Sequence, residues 1–69
     1  MLENWEKILV TEANSKAELS RMVLENEGFQ AVILPKKDSS YLLGVFELYV
    51  PVEQAADARR VLEEQDGEG

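Results

Sequence analysis

An α+β fold in which strand, helix, strand, strand and helix follow in order is what this 69-residue chain predicts. Three observations predict it. Short runs of β-branched and aromatic residues occur at Trp5–Thr11, Gln30–Pro35 and Phe46–Val50. Longer stretches with helical apolar spacing occur between the first two runs and after the third. Glycine or proline stands at most of the switches between the two periods.

Trp5–Thr11 (WEKILVT) is short and rich in strand-forming types, so it reads as the first strand. Ser15-Lys16-Ala17-Glu18 matches a capping box, which opens a helix at Ser15. Leu19, Met22 and Val23, flanked by Ala17 and Leu24, supply its apolar stripe, with Glu18, Arg21, Glu25 and Asn26 left for water. Gly28 ends the helix in a left-handed conformation, and Phe29 follows as the residue that packs back on the last turn. Gln30–Pro35 is a continuous apolar run too short for a helix and reads as the second strand. Lys36 to Ser40 is the most polar internal stretch and reads as a loop. Gly44 permits a bend before Phe46–Val50, where Phe46, Leu48 and Val50 alternate with Glu47 and Tyr49. Pro51 holds Val50 extended and opens a second helix, with Glu53 in its first turn and Ala55, Ala58, Val61 and Leu62 as its buried stripe to about Glu64. Arg59 and Arg60 each precede a glutamate by four residues, Glu63 and Glu64, as on an ordinary solvated helix end.

The order and the right-handed crossover rule favour a split β-α-β-β-α unit. The third strand lies antiparallel between the first and second, and both helices lie on one face. This is a ferredoxin-like arrangement lacking the last strand. Residues 1–64 form the single domain, and residues 65–69 form an acidic, glycine-containing flexible tail.

A domain this small buries only about 60% of the surface its unfolded chain exposes, so its stability margin is thin without a staple. The sequence has no cysteine and no histidine, which removes disulfides and thiolate or imidazole zinc sites. Self-association is the remaining route. Asp38-Ser39-Ser40 lacks the spaced acids of a calcium loop, so no metal or cofactor is expected. Without His or Cys, and with no spacing that pairs Glu12, Asp38 or Glu47, no catalytic residues are expected and the chain does not read as an enzyme. A formal charge of −7 opposes nucleic-acid binding. Neither a signal peptide at Met1–Lys7 nor an apolar run longer than Ala31–Leu34 points to a membrane, and a cytoplasmic location is expected.

Several segments also carry a family resemblance: Lys7-Ile8 at a strand start, Ala17-Glu18-Leu19 through Val23-Leu24-Glu25 to Glu27-Gly28-Phe29, and Leu48-Tyr49-Val50-Pro51 followed by Ala58-Arg59-Arg60-Val61-Leu62. From Lys7 to Glu64 the chain resembles a family of small bacterial domains of unknown function described as prokaryotic signal-transducing proteins. Their fold is similar to that of PII-like regulators. The resemblance implies a regulatory or binding role. The connection between the second and third strands is shorter here and contains lysine, whereas some relatives carry a longer glycine-rich one.

Two surfaces stand out as interaction candidates. If the helices cover Ile8, Val10, Phe46, Leu48 and Val50, then Trp5, Leu9 and Tyr49 lie on the other face of the sheet. Either Val32 and Leu34 or Ala31 and Ile33 must join them, because the second strand is apolar on both sides. Trp5, Leu9, Ile33 and Tyr49 are therefore the expected contact set for a protein partner or a second copy, through this face or the free edge of the first strand. Alternatively, Trp5 folds over a sheet edge and caps the core. In the loop, Lys36, Lys37, Ser39 and Ser40 could hold a small anionic ligand by charge and hydroxyl donors, against the plainer reading of a solvated connection.

Overall fold

In the computed structural model, which describes residues 3–37 and 44–67, the run Trp5–Thr11 forms β1, as expected. The Thr11 hydroxyl then accepts the Ala13 amide at 3.1 Å and closes the turn into α1 (Asn14–Asn26). The capping box does not form. The helix begins one residue before Ser15, its cap residue is Ala13, and no side chain caps it. The other end behaves as Gly28 foretells: Gly28 has φ +95°, its amide donates to the Glu25 carbonyl, and the Phe29 amide donates to the Leu24 carbonyl at 2.9 Å. This pair of bonds satisfies two terminal carbonyls and turns the Phe29 ring toward the core cluster containing Leu24.

β2 (Val32–Lys36) starts two residues later than the apolar run and includes Lys36. β3 (Val45–Pro51) follows Gly44, whose φ of +76° and approach to the Lys36 carbonyl, 3.0 Å from any added Cβ, leave room only for glycine. A single 3-10 turn at Val52–Gln54 separates Pro51 from α2 (Ala55–Gly67). The helix therefore runs through Gly67 rather than stopping near Glu64, and it takes up part of the expected tail. The Gln54 side chain accepts the Gln30 amide at 3.1 Å, tying the turn before α2 to the segment before β2.

The sheet order is β1-β3-β2, antiparallel throughout. Both helices lie on one side of it. Leu24 of α1, Ala55 and Ala58 of α2, and Leu48 and Val50 of β3 close one buried cluster, with Ile8, Leu9, Ile33, Val61 and Leu62 packed against it. The thinnest dimension, 15 Å, accommodates one sheet and one helical layer.

Two side-chain placements differ from expectation. Between Lys7 and Leu9 the β1–β3 register shifts by a bulge: Lys7 faces Tyr49, yet Leu9 faces Leu48. The extra residue puts both Ile8 and Leu9 on the helical side and moves Val10 to the other face, where it is 47% exposed. On α1, Leu19 and Met22 are 54% and 59% exposed, whereas Ala17 and Leu24 are fully buried. The inward stripe of α1 is thus carried by Ala17 and Leu24, and Leu19 and Met22 point away from the sheet.

Candidate functional site

The site is the sheet face that no described element covers. Facing residues in an antiparallel pair share a side, so the registers list its members. They are Trp5, Lys7 and Val10 from β1; Val45, Glu47, Tyr49 and Pro51 from β3; and Val32, Leu34 and Lys36 from β2. Trp5 stands opposite Pro51, so the only tryptophan lies at one end of the face. Val32 and Leu34 are half-buried, as are Trp5 and Tyr49.

Of the four contact residues expected from sequence, Trp5 and Tyr49 are on this face. Leu9 and Ile33 are not. Leu9 is moved under the helices by the bulge, and Ile33 faces Leu48 in register and packs against the same cluster. Their places on the open face are taken by Val10 and by Val32 and Leu34. The alternation of β2 allowed this second choice; only its pairing with β3 decides it.

At the centre of the apolar face sits a polar group that sequence reasoning did not assemble. Glu47 is 9% exposed. One of its oxygens accepts the Tyr49 hydroxyl at 2.9 Å, and the other lies 3.4 Å from the Lys7 ammonium. The hydrogen bond to Glu47 is the main reason the Tyr49 phenol is held above its usual range, with burial and the carboxylate charge adding and Lys7 opposing. The signal lay in register: Lys7 and Tyr49 are forty-two residues apart in sequence but face each other across β1 and β3. The lysine and carboxylate charges cancel and the phenol is neutral, so the group carries no net charge.

The edges are less receptive than the face. On β1, Arg59 reaches from α2 to pair with Glu6 and donates to the Lys7 carbonyl at 3.4 Å. The expected partnership of Arg59 with Glu63 is replaced by this tertiary contact, and Arg60 pairs with Asp57 instead of Glu64. With the bulge, it blunts the free edge of β1. β2 is five residues long, with Pro35, which has no amide hydrogen, and the charged Lys36 near its end.

The expected anion site is described in part. Lys36 and Lys37 line a hollow of about 360 Å³ together with Pro35, Gly44, Val45 and Phe46. Ser39 and Ser40 lie outside the described residues. A third surface, missed by the helical stripe reading, is the outer side of α1, where Leu19 and Met22 lie beside the Glu18–Arg21–Glu25 ion-pair ladder. Among the described residues, no three acidic side chains converge as a metal site requires, and no helix is long and apolar enough to cross a membrane. Compared with protein-family models, with curated proteins and with solved structures, the chain matches none.

Proposed function

We propose that this chain is a non-enzymatic protein-interaction module of a regulatory kind, acting in the cytoplasm, with the open sheet face as its working surface. Its architecture is then a ferredoxin-like unit without the last strand, the arrangement that the resemblance to PII-like signal-transducing domains implies. One observation carries the reading: an apolar sheet face, with Trp5, Val32, Leu34 and Tyr49 half-buried and Val10 half-exposed, lies outside the only helical layer among the described residues. A two-layer domain leaves such a face wet unless something covers it. The occupant is a protein partner or a second copy.

The single tryptophan gives a direct test. Trp5 labelled as 5-fluorotryptophan is followed by fluorine resonance in dilute solution, at millimolar chain concentration and in an extract of the native host. A shift or broadening in either crowded condition is the expected outcome. An unchanged resonance in both would remove the face as an interaction surface.

A second reading, a small-molecule sensor of PII type, draws on the hollow beside Lys36 and Lys37. It predicts amide shifts at Lys36, Lys37 and Gly44 when nucleotides or carboxylates are added. Silence across a broad panel of anionic metabolites would count against it.

A further inference from the structure

We infer that the occupant of the open face is a second copy of this chain, packed sheet to sheet across a two-fold axis into a four-layer α-β-β-α dimer. This rests on the reading that the face is the working surface, and it adds the identity of what covers it.

Charge is unevenly spread over the molecule. Lys7 and Lys36 against Glu47 give the face a formal charge of +1, so with the whole chain at −7 the rest of the molecule carries −8. The acids of α1 and α2, among them Glu18, Glu25, Asp57 and Glu63, sit on the helical layer. Two copies approaching helix to helix, or edge to edge, therefore bring like charges together. Approaching sheet to sheet, they keep those charges on the two outer layers and meet through apolar side chains and an internally paired Lys7–Glu47. On the open face itself, the described cations are Lys7, already paired with Glu47, and Lys36 at one end of the sheet, so the face offers an acidic partner protein little positive charge.

Geometry points the same way. The blunted edges oppose strand addition, as described above, whereas aligned sheets pack face to face about 10 Å apart through just such alternating side chains. Three strands of about 4.8 Å spacing and about seven residues give a footprint of about 14 by 24 Å. Two such faces cover about 670 Å² in projection, below the roughly 1,000 Å² of a stable interface and in the range of weak, transient pairs. The pair should therefore be weak and concentration-dependent.

Sedimentation equilibrium of the purified 69-residue chain from about 1 to 500 μM tests this, run at low and high sodium chloride. The expected result is a monomer–dimer equilibrium that tightens several-fold as salt rises, because screening relieves repulsion between the acidic outer layers. Val10→Lys and Leu34→Lys should each weaken the dimer at least tenfold, while Leu19→Lys on the outer side of α1 should leave it unchanged. Val10 is exposed enough that its variant keeps its fold even if Leu34→Lys loses it, and circular dichroism establishes which variants are folded. A chain that stays monomeric at 500 μM would overturn the inference. If fluorine-labelled Trp5 still responds to host extract in that case, the interaction reading stands and the occupant is a different protein; if it does not, both fall. Dimers abolished by Leu19→Lys but not by Val10→Lys would also overturn the inference.

Discussion

Leu48 and Glu47 are adjacent on β3, are 0% and 9% exposed, and face opposite sides of the same sheet. Leu48 lies under the two helices, among Leu24, Val50, Ala55 and Ala58. Glu47 lies on the side without helices, between a lysine and a tyrosine. Near-equal burial thus has different causes on the two faces. On the covered face, a second layer of secondary structure excludes water. On the open face no described helix does, and a polar residue survives there because its oxygens find partners. The covered face stabilises the fold, and the open face is the one for which we propose a partner.

The largest expected effect belongs to the covered face. Leu48→Ala should cost about 2–5 kcal/mol, enough to unfold much of so small a domain, as chemical denaturation would show. A cost below about 1 kcal/mol would mean that the cluster is not the core. Gly44→Ala, at the start of the strand that both faces share, should cost about 1–3 kcal/mol through its left-handed φ and its contact with the Lys36 carbonyl. On the open face, Glu47→Gln should lower stability by no more than about 1 kcal/mol, because Lys7 remains half-exposed to water. An equal loss from Leu48→Ala and Glu47→Gln would erase the contrast between the faces.

Glu47→Gln has a sharper readout than stability. The Tyr49 phenol is raised in the folded chain, so its bond to Glu47 contributes at every pH below the ordinary tyrosine value of about 10 and is lost as pH climbs through the higher folded value. Removing the carboxylate should bring the Tyr49 titration back toward the ordinary value, as ring carbon shifts would register. No movement would show that the Glu47–Tyr49 bond is not made in solution.

Much of this arrangement can be read in the sequence, because each strand and helix announces itself locally. The alternation of Phe46, Leu48 and Val50 against Glu47 and Tyr49 holds, as do the Gly28 stop and the Ala55-Ala58-Val61-Leu62 stripe. Which apolar residue meets which face is less legible where apolar residues run together. Ile8-Leu9-Val10 admits a bulge at no cost in pattern, and counting by twos from Trp5 then assigns Leu9 and Val10 to the wrong sides. Val32, Ile33 and Leu34 are interchangeable until β3 fixes their register. In α1, Ala17 lies inward while the larger Leu19 and Met22 lie outward, so ranking positions by hydrophobicity turns the helix the wrong way. Arg59 finds Glu6 on β1 rather than Glu63 on its own helix, a contact that no local pattern encodes.

Isotope-filtered nuclear Overhauser spectra of a mixed sample, half of the chains labelled and half not, at several hundred micromolar would show which surface meets the second copy. A sheet-to-sheet dimer gives intermolecular cross-peaks among the methyls of Val10, Val32 and Leu34 and the ring of Trp5. Intermolecular cross-peaks confined to Leu19 and Met22, or none in a sample that stays monomeric, would contradict it.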